Sequence, residues 1–219
     1  MEGWLARLAK LPLPQKAWVA DGGANKGAVT DRLLAALPDC RVTAFEPQPR
    51  LARKLAKRFQ GEPRVAVVAA ALGEERATLP LTILARPTLS SLLAPTGIRT
   101  KYAGQDLPVT ETVDVPVVRL DATMSRVDII KLDVQGYELP ALRGASQWLP
   151  TVTAVVAETA IFYPLYAGQA LLPELEAYLE GFGLRLDGVY DCFRDNTGRI
   201  ASGDALFIRG DCGSRIRRD

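Results

Sequence analysis

The strongest constraint on the fold is that four apolar runs of this chain each end in an acidic residue. The runs AWVAD, VTAFE, DIIKLD and TAVVAE end at Asp21, Glu46, Asp133 and Glu158. Parallel strands that are covered by helices on both faces read as continuous apolar runs, and ligands bind outside their carboxyl ends. The four acids are therefore expected at one edge of a parallel sheet, beside a ligand that offers hydroxyl groups, an ammonium or another cation more readily than a string of phosphates.

Strand and helix patterns alternate along most of the 219 residues. This alternation predicts an α/β fold, a doubly wound and mostly parallel seven-stranded sheet with helices on both faces and an antiparallel last strand. The predicted strands are 17–21, 41–46, 64–69, 127–133, 152–158, 184–189 and 204–209, and the predicted helices are 26–37, 49–59, 138–145 and 170–181. Residues 73–120 interrupt the alternation and are interpreted as short strands joined by turn-rich loops, a lid or excursion from the sheet.

The N-terminal residues form a separate pattern. Trp4, Leu5, Leu8 and Leu11 fall on one helical face, which predicts a short amphipathic helix over 2–11. We expect residues 1–14 to be a helical appendage and residues 15–219 to be one Rossmann-like domain. The helix either caps the sheet or pairs with a second subunit in a homodimer.

Composition excludes several classes of protein. Lys and Arg exceed Asp and Glu by 27 to 25, which argues against a protein whose main partner is nucleic acid. Cys40, Cys192 and Cys212 are far apart and form no CxxC pair, so neither a disulfide framework nor a zinc site is indicated. No apolar stretch approaches the roughly 20 residues of a membrane span, and no signal-peptide core is present. A soluble, cytoplasmic protein is expected.

The chain contains no histidine. Hydrolases that use a Ser-His or Cys-His arrangement are therefore excluded. Any proton transfer must use Asp, Glu, Lys, Tyr, Cys or water.

The first acidic run continues into a glycine-rich turn, residues 22–27, ahead of a predicted helix. Glycines at this place let backbone N–H groups approach a ligand closely. Two alternatives stay open. One is an ordinary strand-to-helix turn, and the other is a dinucleotide site, since Gly22, Ala24 and Gly27 loosely follow the G-x-G-x-x-G spacing.

Glu46 lies about 20 residues beyond the glycine turn, where an acid can accept hydrogen bonds from two ribose hydroxyls. Together with a cationic centre beside the other acids, this indicates S-adenosylmethionine as the ligand. The alternative is a surface acid in the first turn of a helix.

The segment IIKLDVQGYE places Lys131, Asp133 and Gln135 on one face of a strand that should be buried. Lys and Asp are seldom buried unless they are paired, so Asp133 is expected beside the ligand. A structural Lys131–Asp133 pair at a sheet edge is the alternative. Asp204, within the apolar GDALFI run, is a further acid that needs a partner.

Glu158 leads into a connection that carries Tyr163, Tyr166 and Gln169. Loops on a rigid scaffold often carry recognition groups, so these three residues are candidates for substrate binding. The aromatic side chains could equally form a plug in the core.

Taken in order, the motifs VADGGANKG, AFEP, AALGEE, SSLL, KLDVQGYELPALRGA and the block from Glu158 through FYPLYAGQ to GDALFIR resemble the FkbM-like, S-adenosylmethionine-dependent methyltransferases of the class I Rossmann-like fold. The resemblance covers residues 17–209. It implies transfer of a methyl group to a hydroxyl oxygen of a small molecule, a sugar or glycan, or a natural product. The chain departs from the usual family pattern at Gln135, where a Glu is common.

The resemblance also implies roles for individual residues. Asp21, Gly23, Asn25 and Gly27 are expected around the methionine and adenosine portions, Glu46 on the ribose, Ala70, Ala71 and Leu72 near the adenine, and Asp133 at the reaction centre. With the neighbours of these residues, the expected cofactor site is Asp21, Gly23, Ala24, Asn25, Gly27, Glu46, Pro47, Ala70, Ala71, Leu72, Asp133 and Gln135.

Without histidine, the candidates for the catalytic base are Asp133, Glu158 and Glu138. Oxygen ligands from Asp133 and Glu158 would also suit Mg²⁺, which would lower the pKa of the acceptor, and the sequence leaves the metal unknown. Two alternatives to a methyltransferase remain: an NAD(P)-dependent oxidoreductase, and a non-catalytic protein that binds S-adenosylmethionine.

Overall fold

The computed structural model describes residues 3–96 and 107–210. Cys212, the C-terminal RIRR run and the central part of the predicted lid lie outside the described residues. The strands are β1 (Trp18–Gly22), β2 (Arg41–Phe45), β3 (Val65–Val68), β4 (Ala71–Leu72), β5 (Ala77–Leu84), β6 (Val109–Val118), β7 (Ile129–Leu132), β8 (Ala154–Ala160), β9 (Leu184–Arg194) and β10 (Ile200–Arg209). The helices are α1 (Trp4–Leu8), α2 (Ala28–Ala36), α3 (Pro49–Arg58), α4 (Leu120–Thr123), α5 (Glu138–Arg143) and α6 (Leu172–Glu180).

Seven of these strands form the main sheet, in the order β3-β2-β1-β7-β8-β10-β9. The first five are parallel, and β10 is antiparallel to both β8 and β9. The chain leaves β1 towards one edge and returns at β7 on the other side of β1, which creates a topological switch point between these two strands. The predicted doubly wound sheet and its closing antiparallel strand are confirmed.

Residues 71–118 contain a second sheet of three strands, in the order β4-β6-β5. The expectation of short strands is wrong for β5 and β6, which have 8 and 10 residues and pair along their length. Most of β6 is exposed, and its TETVDVP sequence mixes charges and a proline with valines. A strand that is exposed along most of its length has a weak apolar pattern, so the sequence understates that length.

The N-terminal helix α1 packs against the main sheet. Trp4, Leu5 and Leu8 are buried and belong to the same apolar cluster as Val19 of β1 and Leu206 of β10. The helix is held further by the Arg7 guanidinium, whose Nη2 lies 2.5 Å from the Asp187 carboxylate. The helix therefore contributes side chains to the core of its own chain. None of the helices in the described part of the chain is long and apolar enough to cross a membrane.

Candidate active site

A cleft opens at the carboxyl ends of β1, β2 and β7, at the switch point. Its lining is mostly apolar with a few convergent polar groups, which is typical of a small-molecule site. The turn after β1, the ends of β2 and β7, and the small sheet with its connections line this cleft: Gly23, Asn25, Phe45, Glu46, Pro47, Gln48, Ala70, Ala71, Leu72, Leu81, Pro87, Thr88, Ser90, Ser91, Leu92, Asp133, Val134, Gln135 and Tyr137.

The turn after β1 is fixed by its contacts with the neighbouring strands. Gly23 has a φ of +77°, and a Cβ atom at this position would overlap the carbonyl oxygen of Asp133. The N–H groups of Gly23 and Ala24 both donate to the carbonyl of Phe45 at 3.0 Å. Only glycine permits this approach, so the turn and the end of β7 form one continuous wall of the cleft.

Glu46 follows the last residue of β2 and is almost completely buried, with 2% of its surface exposed. Its two carboxylate oxygens each accept a backbone N–H at 2.8 Å, one from Asn25 and one from Gln48. Burial raises the pKa of the Glu46 carboxyl, although these two hydrogen bonds oppose the rise. Each carboxylate oxygen has a second lone pair, so a fixed Glu46 keeps the capacity to accept two further hydrogen bonds.

Small apolar side chains form one wall of the cleft, at Ala70, Ala71 and Leu72. Leu81, Pro87 and Leu92 also line the cleft, from β5 and the residues that follow this strand. Ser90 lines the cleft as well, and among the described residues its buried Oγ atom has no hydrogen-bond partner. A flat apolar ring with polar edges suits such a lining, and a ligand can satisfy the serine hydroxyl.

Asp21 is fully buried and does not line the cleft. It lies inside β1, which continues to Gly22, whereas Glu46 and Asp133 each follow the last residue of their strand. Its Oδ2 atom accepts a 2.7 Å hydrogen bond from the Thr30 hydroxyl of α2, and its Oδ1 atom lies 3.6 Å from Lys131 Nζ. Asp21 thus lies behind the lining of the cleft and supports it.

Lys131 connects Asp21 to the cleft, because its Nζ atom also lies 3.7 Å from Asp133 Oδ2. The predicted Lys131–Asp133 pair is therefore present, and it borders the cleft. Burial would lower the pKa of Lys131, but the carboxylates of Asp133, Asp21, Asp204 and Glu158 raise it above its usual value. One buried ammonium thus faces several carboxylates, and the region carries an excess of negative charge.

Gln135 joins the ends of β7 and β8. Its Nε2 atom donates to Asp133 Oδ1 and to Glu158 Oε2, both at 2.6 Å. Its Oε1 atom accepts the hydroxyl of Tyr166 at 2.7 Å. Of these residues, Asp133 and Gln135 line the cleft, while Glu158 and Tyr166 lie behind them around a smaller cavity of about 190 Å³.

Glu138, the third candidate for the base, lines the smaller cavity and not the cleft. Its Oε1 atom accepts the backbone N–H groups of Val134 at 3.1 Å and Gly136 at 3.2 Å, which fixes the turn between β7 and α5. Burial raises the pKa of Glu138 to about 7. Its geometry is that of a residue that holds the loop carrying Gln135.

The three candidates for substrate binding lie outside the lining of the cleft. The Tyr163 hydroxyl donates to Asp195 at 3.0 Å, and Gln169 Oε1 accepts the N–H groups of Leu165 and Tyr166. Tyr166 is buried in an apolar cluster with Leu165, as in the alternative of a core plug. These contacts order the connection after β8.

Asp204 finds its partners in two other elements. Burial raises its pKa to about 6, with a further rise from Asp133 and opposing contributions from Lys131 and from a hydrogen bond with the side chain of Trp4. Asp204 lies directly opposite Glu158 in the antiparallel β8–β10 pair. The acid therefore belongs to the charged group around Lys131.

Ala24 and Gly27 support the turn without lining the cleft. Ala24 is buried against α3, and Gly27 begins α2 with a φ of +83° close to Phe59. In the described part of the chain, no group of three or more Asp, Glu or Cys side chains is arranged to hold a metal ion.

Several residues of the cleft had no predicted role. Gln48 lies in the PQP segment after Glu46, and its Nε2 atom donates to the carbonyl of Pro87 at 3.0 Å. Ser91 belongs to the SSLL motif, and its hydroxyl donates to the Gln135 carbonyl at 2.7 Å. The SSLL motif was the sequence feature that could have pointed to Ser91. Its contact with Gln135 joins residues 44 positions apart, so no local pattern predicts it.

Comparisons with known proteins identify a family and several relatives of this chain. The model of the family described as methyltransferase FkbM domain matches residues 21–186. The methyltransferase sdnD of Sordaria araneosa is 28% identical over 206 residues, covering 80% of this chain and 77% of that protein. Methyltransferase 1 of Beauveria bassiana is 30% identical over 149 residues, covering 61% of this chain and 60% of that protein.

A solved structure has the same fold. The crystal structure of a methyltransferase FkbM from Methylobacillus flagellatus superposes with a TM-score of 0.61 at 17% identity. The match covers 92% of this chain and 46% of that one, so this chain spans less than half of the length of that protein.

Proposed function

The chain belongs to the FkbM methyltransferase family, and on this premise we propose that it uses S-adenosylmethionine to methylate a hydroxyl oxygen of a small molecule, a sugar or glycan, or a natural product. The observation that carries the proposal is that two carboxylates are held in fixed positions in the same cleft. Glu46 is oriented by two backbone N–H groups at one end, and Asp133 is joined to Glu158 through Gln135 at the other.

The cleft fits the parts of this cofactor. Glu46 retains lone pairs for both ribose hydroxyls, and Ala70, Ala71 and Leu72 supply an apolar wall for the adenine ring. Gly23 and Asn25 border the space between Glu46 and Asp133, where the methionine portion would lie. The negative charge around Lys131 complements a cationic sulfonium and ammonium.

When bound, S-adenosylmethionine supplies an electrophilic methyl group. Asp133 is the residue that we assign to the acceptor, because it follows β7, lines the cleft and has 40% of its side chain exposed. Its carboxylate would hold the acceptor hydroxyl and take its proton as the hydroxyl oxygen attacks. Glu158 would hold Asp133 in position through the Gln135 amide, and the negative charge of the two carboxylates would be partly offset by Lys131.

Most of the acceleration would come from position. Holding two reactants in line and near attack distance lowers the activation barrier, by on the order of 7–11 kcal/mol in the best intramolecular cases. Gly23, which ties the turn to β7, and Gln135, which joins β7 to β8, would provide this rigidity.

The first test is thermal unfolding of the protein with S-adenosylhomocysteine, S-adenosylmethionine or NAD at millimolar concentration. A ligand that binds the native state raises the unfolding midpoint by mass action. We expect a rise with the two sulfur compounds and none with NAD. Stabilisation by NAD alone would refute the methyltransferase proposal in favour of an oxidoreductase.

The transfer step has its own test. Radiolabelled S-adenosylmethionine would be offered with panels of hydroxylated acceptors, and the product bond would be assigned by NMR. Binding of S-adenosylmethionine without transfer to any acceptor would favour a non-catalytic binding protein, and transfer to nitrogen or carbon would refute O-methylation.

A further inference from the structure

The side chain of Gln135 occupies the space between two carboxylates that come from different strands. Its Nε2 atom lies 2.6 Å from Asp133 Oδ1 and 2.6 Å from Glu158 Oε2. Ionised carboxylates only accept hydrogen bonds, so the NH₂ group and not the carbonyl must face them. At the opposite end of the amide, the Tyr166 hydroxyl lies 2.7 Å from Oε1 and 3.1 Å from the Leu89 carbonyl.

The backbone of Gln135 is held in place as firmly as its side chain. Its φ is +54°, in the left-handed region that residues other than glycine seldom adopt. The Ser91 hydroxyl donates to its carbonyl at 2.7 Å, and the following Gly136 leaves no room for a Cβ atom beside the Tyr166 ring. Non-glycine residues in this conformation concentrate at functional sites, where the surrounding structure enforces them.

The position of the amide nitrogen is close to that of a bridging cation. A cation that bridged the two carboxylates would have to lie between the same two oxygens that Nε2 contacts, Asp133 Oδ1 and Glu158 Oε2. Both amide hydrogens carry partial positive charge and point at a carboxylate. The buried Lys131 ammonium, 3.7 Å from the other oxygen of Asp133, adds a full positive charge on the same side.

We propose that the Gln135 amide takes the place of a divalent cation between Asp133 and Glu158, so that the two carboxylates are held together at the reaction centre without a metal. Gln135 is then a positioning residue that acts through Asp133. This inference rests on the proposed function only for the role of the two carboxylates, and the occupied space between them is a property of the chain alone.

The proposal predicts that a carboxylate at position 135 creates a metal site. Glu has nearly the same shape as Gln but replaces the NH₂ group by a third carboxylate, and carboxylate oxygens are ligands that suit Mg²⁺ and Mn²⁺. We would titrate Mn²⁺ into the wild type and into Gln135→Glu and follow free and bound Mn²⁺ by EPR. The expected result is one Mn²⁺ site in Gln135→Glu, at least tenfold tighter than any site of the wild type.

Two further variants define the site. Gln169→Glu adds the same charge nearby but keeps an acceptor for the N–H groups of Leu165 and Tyr166, and it should bind Mn²⁺ no better than the wild type. Adding Glu158→Gln to Gln135→Glu should reverse the gain. Equal Mn²⁺ affinity of Gln135→Glu and Gln169→Glu would overturn the proposal.

The wild type alone provides a test that does not depend on the folding of Gln135→Glu. If wild-type protein binds one Mn²⁺ in a manner that Glu158→Gln abolishes, Gln135 turns its carbonyl oxygen to the metal and the proposal is wrong. Binding of S-adenosylhomocysteine, measured by calorimetry on the same samples, is independent of these outcomes. Its absence would count against the proposed function and leave the Mn²⁺ result interpretable.

Discussion

Glu46 is the residue whose carboxylate can be tested most directly. Changing Glu46 to Gln keeps the shape and one oxygen acceptor but removes the charge and the second acceptor. Hydrogen bonds to charged groups contribute about 1.5–3 kcal/mol, so we expect the Kd for S-adenosylhomocysteine to rise at least roughly tenfold. Calorimetry would measure it, with Glu111→Gln, an exposed residue of β6, as the matched control. Unchanged affinity in Glu46→Gln would remove Glu46 from the ribose site.

Glu138 gives a pH dependence with a defined sign. Its pKa is raised to about 7 in the folded protein from an ordinary value of 4.5, because its carboxyl is buried. Between these two values the unfolded chain has lost the proton that the folded chain keeps, so the free energy of unfolding falls as pH rises. The stabilisation is complete below about pH 4.5 and is lost by about pH 7.

The measurement compares wild type with Glu138→Gln, whose amide oxygen can still accept the N–H groups of Val134 and Gly136. We would measure the free energy of unfolding by denaturant at pH 4.5 and at pH 7. It should be lower at pH 7 by roughly 1–3 kcal/mol more in the wild type than in Glu138→Gln. Taking the difference between the free energies of unfolding of the two proteins at each pH removes the contributions of the other buried acids. A difference that does not change with pH would contradict the prediction.

At the scale of elements, α1 is short but closes one side of the main sheet. Leu8 has no exposed surface and packs in the cluster that includes Val19 and Leu206. Replacing Leu8 by Ala removes buried apolar volume and should cost about 2–5 kcal/mol in the free energy of unfolding. Lys10→Ala, at an exposed position just beyond the helix, should change it by less than about 0.5 kcal/mol. Equal effects would mean that α1 is not part of the folding unit.

The main sheet could be predicted because its central strands are buried on both faces, which leaves a continuous apolar run in the sequence. The same pattern placed Glu46 and Asp133 correctly at the edge of the sheet. It could not separate them from Asp21 and Glu158, because the difference is one of strand length. β1 continues one residue beyond Asp21 and β8 two residues beyond Glu158, so these acids lie within strands, behind the cleft lining.

The contacts of Gln135 and Ser91 could not be predicted in the same way. A glutamine after a strand has no periodic signal, and its partners lie just after β7, on β8 and in the connection after β8. Ser91 reaches Gln135 across 44 residues. Such contacts depend on how elements that are distant in sequence pack together. Local sequence patterns do not predict this packing.

For the whole molecule, the net charge of +2 conceals a strongly uneven distribution. Several carboxylates surround the buried ammonium of Lys131, so the cleft should attract a cation more than a neutral ligand. S-adenosylmethionine carries one more positive charge than S-adenosylhomocysteine. Raising NaCl from about 20 mM to about 500 mM should therefore weaken binding of the cationic compound more, because salt screens partly exposed charges. Parallel salt dependence of the two Kd values, measured by calorimetry, would show that the local charge does not select the cofactor.

The small sheet enters the chain between β3 and β7, and its strand β5 and the residues after β5 supply Leu81, Pro87 and Leu92 to the cleft. Asp133 and Gln135 follow β7 and Glu158 lies on β8, so all three are outside this insertion. Part of the cleft wall and the carboxylates that we assign to the methyl acceptor thus lie in different stretches of the sequence. The Ser91–Gln135 hydrogen bond joins the two stretches, so a change in the covering segment can be transmitted to the carboxylates.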